Sequence, residues 1–399
     1  MNNRAIDLQL IKPVKPGSSG SKGKIFLKQL LKEELKELNV PTYDSCCGEV
    51  PPETEPFNLV TTDSDSINFS GSGTIEDPLT AEVVSINGLA NVRLYGAVGD
   101  GVTDDSQAFA DAIATQLTVE VPPGDYLISQ ELILNDGQRI FGYGRESNIV
   151  TATNGTTVDL TSAYNILQIF NNCTVDNLRF TGNGKLASYV FPWTTQNAIW
   201  VQGNNNNINN CWFLNLRGSG VLSVKTDLSN HSNSRIQGCY FEGNTVGMFT
   251  YVGGEYWTIS NNSFFTNTVN INEMGANNVY SGCSITYATQ YGVRAFGNGG
   301  NSDHTMFSGC TINHNTGTMQ IANLVNGMQF VACDFYGGPI TISESVKVIF
   351  LGCGFGSATT MTVTATTAKE TLISSCYYQS PFAPTNSATS AVITEVNNI

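Results

Sequence analysis

Carboxylate side chains could perform acid–base chemistry, and four candidates lie in the second half of this chain. Enzymes that hydrolyse glycosidic bonds use two carboxyl groups about 5–10 Å apart, one as acid and one as base or nucleophile. The candidates for such a role are Glu242, Glu255, Glu273 and Asp334. Whether any two of them can act together depends on the elements that carry them, so residue type alone assigns no catalytic residue.

Aromatic side chains form a second group, suited to binding sugars. Tyr189, Phe191 and Trp193 lie within residues 181–197, and His304 follows a glycine-rich turn. An aromatic ring combines a flat apolar face with a polar edge, so it can pack against the C–H face of a sugar ring. These four residues are candidates for glycan binding. The alternative is that the aromatic rings pack beneath their own loop and that His304 is a solvated loop residue.

A repeat organises the part of the chain that carries these residues. The pattern is apolar, any, Gly or Asn, Cys, any, apolar, as in IQGCYF from Ile236 and FLGCGF from Phe350. Its central residues are 20 to 33 residues apart, at positions 178, 211, 239, 262, 283, 310, 333, 353 and 376. Such a period indicates a solenoid, in which each coil buries its core only against its neighbours.

The repeat also predicts which side chains point inward. The central residue, the residue three before it and the residue two after it are apolar and should form the core. The residue just before the centre is mostly Gly or Asn and should form a left-handed bend. Seven central cysteines should therefore form a buried stack of free thiols, without disulfides or metal: Cys211, Cys239, Cys283, Cys310, Cys333, Cys353 and Cys376. Asn262 interrupts this stack and must find a hydrogen-bond partner inside.

The same rule tests the carboxylates. Glu242 and Asp334 should both face outward but four coils apart, which is roughly 19 Å at one strand spacing per coil. That separation is too large for a glycosidase pair. Glu255 and Glu273 lie in adjacent coils, but one is predicted in a turn and the other in a strand.

Residues 91–129 form a separate block ahead of the repeat. Val92 to Tyr95 should form a short strand, and a helix with an apolar face should follow. Thr103 or Asp104 should cap that helix, with Gln107 closing a capping box on Asp104. Asp100, Thr103 and Asp104 are therefore interpreted as structural turn and cap residues and not as metal ligands.

The block GAVGDGVTDD, a short helix and VEVPPGDYLI resembles the start of pectate-lyase-like right-handed parallel β-helices. That superfamily includes polygalacturonases and many bacteriophage tailspikes. The resemblance implies an all-β fold, a single-stranded right-handed parallel β-helix over residues 91–399 with a short N-terminal capping helix. The catalytic motifs of polygalacturonases, Asn-Thr-Asp, Gly-Asp-Asp, Gly-His-Gly and Arg-x-Lys, do not occur in this sequence. No catalytic residue is carried over, and enzymatic activity stays an open question.

Charge divides the region before the solenoid. The whole chain has a net charge of −14, residues 1–40 carry +4, and residues 41–90 carry −9. Residues 25–38 should form an amphipathic helix within a basic anchoring segment, and residues 41–90 an extended acidic arm. The negative balance argues against a nucleic-acid partner. We expect no membrane insertion, because no apolar run approaches the roughly 20 residues of a membrane-spanning helix, and the N-terminus has no secretory signal.

The resemblance to tailspikes implies a virion protein. Residues 71–80 also resemble a short segment that recurs in virion proteins of phages infecting Bacteroidota. We therefore expect a homotrimeric phage spike or fibre, made in the host cytoplasm and assembled on the particle, that contacts host surface polysaccharide. Residues 1–90 should bind other virion proteins, and no cofactor is expected. Two alternatives remain: a depolymerase that cleaves the polysaccharide, and a purely structural decoration of the virion.

Overall fold

The computed structural model describes residues 67–70, 80–83, 88–151, 165–189, 196–224, 231–297, 304–365, 369–379, 382–386 and 391–398. Within these residues the chain is almost entirely β-structure, with one α-helix at Ser106–Thr115 and 3-10 helices at Val92–Tyr95 and Gly144–Glu146. No helix in the described ranges is long and apolar enough to cross a membrane. The predicted helix over 25–38, Phe191, Trp193, Cys46 and Cys47 lie outside them. In the predicted arm, Ile67–Ser70 pairs antiparallel with Thr80–Val83.

Three parallel sheets form the walls of a right-handed solenoid of about 11 turns, as the sequence predicts. In the described residues, sheet I has thirteen strands: Leu89–Asn91, Thr118–Glu120, Arg139–Phe141, Thr174–Asp176, Asn207–Asn209, Arg235–Gln237, Thr258–Ser260, Val279–Ser281, Thr305–Ser308, Met328–Val331, Val348–Leu351, Lys369–Ser374 and Ala391–Val396.

Sheet II has twelve strands within the same ranges: Asp100–Asp104, Gly124–Ile128, Ser147–Thr151, Arg179–Thr181, Trp212–Leu214, Tyr240–Glu242, Ser263–Phe265, Ser284–Thr286, Thr311–Asn313, Asp334–Tyr336, Gly354–Phe355 and Tyr377–Tyr378. Sheet III has eleven in the described chain: Leu132–Leu134, Leu167–Ile169, Ile199–Val201, Ser219–Ser223, Val246–Thr250, Val269–Glu273, Tyr291–Phe296, Thr318–Ala322, Gly338–Ser343, Thr359–Thr364 and Thr385–Asn386. A further short parallel pair joins His231–Ser232 to Gly254–Glu255.

A single residue in the left-handed conformation joins each repeat strand of sheet I to the next strand of sheet II. All nine predicted bend residues have φ between 50° and 65°: Asn177, Asn210, Gly238, Asn261, Gly282, Gly309, Ala332, Gly352 and Ser375. The prediction of this bend is confirmed. Because one residue makes the turn, the residue two before it and the residue one after it, such as Val175 and Leu178, both point into the solenoid.

Stacked aromatic rings and thiols fill the interior. Phe213, Phe241 and Phe264 lie two residues after successive central positions, and their ring centres are 4.6 to 4.7 Å apart. The seven predicted cysteines are all buried and free. Cys173, which the repeat does not predict, is also buried and free, but it precedes a sheet I strand at a different corner.

Asn262 finds the internal partners that its position requires. Its Oδ1 accepts the N–H of Cys239 at 2.8 Å, and its Nδ2 donates to the carbonyl of Ile236 at 3.0 Å. Cys239 makes the equivalent thiol contact one coil earlier, with its Sγ 3.6 Å from the carbonyl oxygen of Ile208. The amide therefore replaces a thiol and leaves no polar group of its own unpaired.

The α-helix Ser106–Thr115 covers the N-terminal end of the stack, with Phe109 buried edge-on against Tyr126. Two predictions about this block were wrong. Val92–Tyr95 is a 3-10 helix and not a strand, because the Asn91 side chain caps its start and Gly96 turns left-handed at its end.

The predicted capping box is also absent from this helix. The N-cap residue is Asp105, whose carboxylate accepts the N–H groups of Val98 and Gly99. The side-chain amide of Gln107 donates to the carboxylate of Asp111 instead of bonding to the backbone of Asp104.

Residues 183–189, which we call the strap, cross from sheet II onto sheet III. The N–H of Leu186 donates to Thr245 Oγ1 at 2.7 Å, and its carbonyl accepts from Thr268 Oγ1 at 2.6 Å. The N–H of Tyr189 donates to Gln290 Oε1 at 2.7 Å. Three sheet III strands near the strap are buried on both faces: Ser219–Ser223, Val246–Thr250 and Val269–Glu273.

Candidate functional site

The predicted catalytic carboxylates do not come together. Glu242 and Asp334 face outward from sheet II strands that are four steps apart, roughly 19 Å at the spacing of neighbouring strands. Glu255 is half-buried in the short strand Gly254–Glu255, whereas Glu273 is completely buried in sheet III. In the described part of the chain, no group of three or more His, Cys, Asp or Glu residues is arranged to hold a metal ion.

Glu273 lies in a buried polar cluster inside the solenoid. Its carboxylate accepts the hydroxyl of Tyr280 at 2.5 Å, the Nδ2 of Asn278 at 3.0 Å and the N–H of Gly275 at 2.9 Å. Burial raises the pKa of this carboxyl, because the ionised form loses its hydration. A substrate cannot reach a group with no exposed surface, so Glu273 is placed as a structural residue.

The predicted structural residues of the N-terminal block make local hydrogen bonds. Asp100 accepts the backbone N–H groups of Val102 and Thr103 and the hydroxyl of Thr103. Asp104 accepts the N–H of Ser106 at 3.0 Å. These contacts lower the pKa of Asp100, chiefly through the Thr103 N–H, and they hold the turn that leads into the capping helix.

Tyr189, a predicted sugar-binding residue, is packed against sheet III. Its hydroxyl accepts the Nδ2 of Asn272 at 3.0 Å, and the guanidinium of Arg294 lies 5.1 Å from its ring centre. Its half-buried ring contacts the apolar cluster of Leu222 and Phe249. His304 is exposed at the corner between sheets III and I, where its N–H donates to Gly327 at 2.8 Å. These two candidates therefore lie on different faces of the solenoid.

The structure brings together a different group of aromatic residues. Rings from successive coils contact one another at the junction of sheets II and III. Phe265 meets Tyr287 edge to face at 5.4 Å between ring centres, Tyr287 stacks on His314 at 5.1 Å, and the tilted ring of Tyr336 lies 5.1 Å from His314. Tyr287 is 46% exposed and Tyr336 is 39% exposed. We call this row the aromatic ridge. It runs along the solenoid axis because each coil adds one ring.

A groove of about 250 Å³ begins where the ridge ends. Its floor is the coil at Gly354 and Gly356, where both outward positions lack a side chain. A Cβ atom at Gly354 would lie 2.5 Å from Asp334 Oδ1, and one at Gly356 would lie 2.3 Å from a ring carbon of Tyr336. The glycines thus let Asp334 and Tyr336 lie along the floor, and Tyr377 borders the groove from the next coil.

The repeat contains a signal for this site. Tyr336 and Tyr377 occupy the third and first positions after their central cysteines, which the outward rule exposes. Applied to acids alone, that rule finds Glu242 and Asp334 and misses the tyrosines. The stacking of Tyr287 and His314 has no comparable signal, because both residues lie at corners with positive φ that the repeat does not define.

Comparison with known proteins gives both short sequence matches and a shared fold. The chain is 41% identical over 61 residues to the pre-neck appendage protein of Bacillus phage B103, and 38% identical over 60 residues to that of Bacillus phage phi29. Each match covers 15% of this chain and 7% of the relative. The chain therefore spans only a small fraction of these relatives.

A solved structure agrees over a longer stretch. Tailspike protein 2 of the Escherichia coli O157:H7 bacteriophage CAB120 superposes with a TM-score of 0.56 over 79% of this chain and 45% of that chain, at 13% identity. This likeness is one of fold. The family described as Rhamnogalacturonase A/epimerase, pectate lyase-like, matches residues 89–294, more than half of the sequence, and the chain belongs to that family.

Proposed function

We propose that this protein is an appendage of a bacteriophage virion whose solenoid binds polysaccharide on the host surface. The observation that carries the proposal is the 41% identity over 61 residues to a pre-neck appendage protein. The tailspike that shares the fold supports the same assignment. The aromatic ridge and the groove beside it supply a surface on which a sugar chain can lie.

The region before the solenoid is proposed to attach it to the particle. Residues 1–40 would be a basic anchoring segment, residues 41–90 an acidic arm, and residues 91–399 the outward-facing solenoid. The opposite charges of the first two segments favour a salt-sensitive contact with other virion proteins or with a sister arm. We propose a homotrimer, because the apolar stripe of the predicted helix over 25–38 needs partners.

Binding without cleavage is the form of this function that the geometry favours. Glu242 and Asp334 are too far apart to share one glycosidic bond, and Glu273 is buried. A depolymerase on the same fold is the second candidate, supported only by the family to which the chain belongs. A purely structural decoration of the virion would not explain the exposed aromatic ridge.

Adsorption to intact bacteria tests the proposal. Fluorescently labelled full-length protein is incubated with a panel of strains, each untreated, oxidised with periodate or treated with protease. We expect binding to some strains that periodate abolishes and protease leaves intact. Adsorption to no strain would refute the contact, and protease-sensitive binding would identify a protein receptor instead. Release of new reducing ends or unsaturated uronates from the bound polysaccharide would establish the depolymerase.

A further inference from the structure

We infer that the groove and the aromatic ridge bind a glycan that carries no negative charge, built from neutral sugars or amino sugars, and that they reject acidic polysaccharide. The inference rests on the proposed function, since it names the class of ligand for the same surface. The inferred ligand differs from the substrates that a rhamnogalacturonase-like family suggests, because those polysaccharides contain uronates.

The direction of the ligand follows from the ridge. Tyr287, His314 and Tyr336 come from three successive coils, with ring centres 5.1 Å apart along the axis. A chain that packs against all three must therefore run across the strands, parallel to the axis. The imidazole of His314 stacks on the ring of Tyr287 with the two planes within 9° of parallel, so the faces of this pair cover each other and the ring edges line the outer surface. The polar atoms at these edges, the phenol hydroxyl and the imidazole nitrogens, can hydrogen-bond to the hydroxyl groups of a sugar.

The groove adds a site for a single sugar at the end of this row. Tyr336 and Tyr377 lie on either side of the Gly354–Gly356 coil, two strand spacings or about 10 Å apart. Tyr377 is 53% exposed. A volume of about 250 Å³ is smaller than most pockets for drug-sized ligands. It is therefore suited to one ring of a longer chain, with hydroxyl groups directed at the Asp334 carboxylate.

Charge decides the class of sugar. Recognition of carboxylate or phosphate groups relies on Arg or Lys, whose N–H groups pair with the anion. The ten outward positions of sheet II along the ridge and the groove contain one carboxylate and no Lys or Arg: Ser263, Phe265, Ser284, Thr286, Thr311, Asn313, Asp334, Tyr336, Gly354 and Tyr377. A uronate in the groove would face Asp334 with no compensating cation.

Two cations near the other end of this sheet are already engaged, one in its strand Arg179–Thr181 and one in the 3-10 helix Gly144–Glu146. Arg179 pairs with Asp125 at 3.1 Å, and Arg145 lies 5.6 Å from the ring centre of Trp212. The net charge of −14 repels polyanions further. A neutral sugar avoids this repulsion, and a protonated amino sugar gains attraction from Asp334.

The test uses the polysaccharide extracted from a strain that adsorbs the protein, before and after chemical reduction of its carboxyl groups to alcohols. The bound glycan should contain no carboxyl groups and so be unchanged by reduction, and titration calorimetry with the full-length protein should give affinities that differ by less than about twofold between the two preparations. Tight binding of a polysaccharide that contains uronate before reduction would contradict the inference. Loss of binding after carboxyl reduction would overturn the inference. Failure of every strain to adsorb the protein would refute the proposed function itself, which keeps the two failures distinct.

Variants locate the site. Tyr336→Ala and Tyr377→Ala should each weaken binding by about five- to tenfold, the usual loss for one aromatic stacking contact. Tyr256→Ala is the matched control, because Tyr256 is 57% exposed at the corner between sheets III and I. Unchanged affinity in both groove variants would place the ligand elsewhere, provided that their melting temperatures match the parent.

Asp334→Asn separates the two kinds of sugar within this class. The asparagine keeps a hydrogen-bond acceptor and removes the charge. For an amino-sugar ligand, affinity should fall and its dependence on NaCl should disappear. For a neutral ligand, affinity should be nearly unchanged and independent of NaCl in both proteins. Tighter binding of the unreduced acidic polysaccharide by Asp334→Asn than by the parent, with the parent weaker at low salt, would show that acidic sugars do enter the groove.

Discussion

Asn262 donates its side-chain amide to the carbonyl oxygen of Ile236, one coil earlier, at 3.0 Å. In the coil before, the thiol of Cys239 is directed at the carbonyl of Ile208. At this corner, the equivalent backbone carbonyl is therefore contacted by an amide from Asn262 and, one coil earlier, by the thiol of Cys239. What these two coils share at this position is a small side chain that can reach the preceding coil, and not cysteine chemistry.

Asn262→Ala should destabilise the protein by about 1–3 kcal/mol, because it leaves the Cys239 N–H and the Ile236 carbonyl without their side-chain partner. Asn262→Cys should cost less, since a thiol at this position can contact both groups. Urea denaturation of the three proteins measures the difference. An alanine variant as stable as the cysteine variant would contradict this account of the stack.

Opposite substitutions at two equivalent left-handed bends should change stability in opposite directions. Gly309 has φ 60°, and a Cβ atom added there would meet no other atom within 4 Å, so Gly309→Ala changes little except backbone strain. That strain should cost about 1 kcal/mol. Ala332 already has φ 50°, and Ala332→Gly should relieve strain of similar size, partly offset by the greater freedom of glycine in the unfolded chain. Thermal unfolding should show shifts of opposite sign.

The thiols should fall into two classes. Burial raises the pKa of the Cys211 and Cys173 thiols, and only the thiolate reacts readily. The eight buried cysteines should resist a thiol reagent until the protein unfolds, whereas Cys46 and Cys47 should react at once. Mass spectrometry after brief labelling counts the modified residues. Rapid labelling of the stack in native protein would contradict the proposed inward register.

Glu273 should make stability depend on pH. Burial raises the pKa of its carboxyl above the ordinary value of 4.5, so the folded state binds this proton more tightly than the unfolded state. The resulting stabilisation is fully present below the unfolded-state pKa and is lost as pH rises through the folded-state pKa. Relative to Glu273→Gln, the parent should therefore lose unfolding free energy with rising pH. Urea titrations from about pH 4 to pH 8 measure this difference; parallel curves would exclude an effect of Glu273.

The oligomer can be tested through the predicted helix over 25–38. Light scattering of the full-length protein at micromolar concentration should give three times the protomer mass. Replacing Leu31 and Leu35 by Glu places charges on the apolar stripe, and should yield monomers with unchanged β-sheet circular dichroism. Lys32→Glu is the control on the polar side. A parent protein that is monomeric would contradict the proposed trimer.

Periodicity explains why so much of the solenoid was predictable. Each one-residue bend needs a residue that tolerates positive φ. The residue two before the bend and the residue one after it must fit the interior. Those two demands recur in every coil, so Asn177 and Ser375, almost 200 residues apart, could be assigned the same conformation from the same pattern.

Features that occur once in the chain were less predictable. The alternation of Val92 to Tyr95 suggested a strand, but local caps at Asn91 and Gly96 determined a 3-10 helix. The groove depends on the coincidence of a glycine coil with Tyr336 and Tyr377 in the neighbouring coils, and no single repeat reveals this. The contact of Leu186 with Thr245 spans 59 residues and follows from no spacing rule.

The strap changes how this solenoid should respond to mechanical force. A stack held only by nearest-neighbour contacts can peel apart one coil at a time under tension, with small steps of equal size. Leu186 and Tyr189, in the coil that contains Arg179–Thr181, instead bond to Thr268 and Gln290. These two residues directly precede the sheet III strands Val269–Glu273 and Tyr291–Phe296 of later coils. Tension that reaches this region must break several coils at once. The middle of the solenoid should therefore yield in one large step and, in the proposed appendage, bear the pull of a bound bacterium.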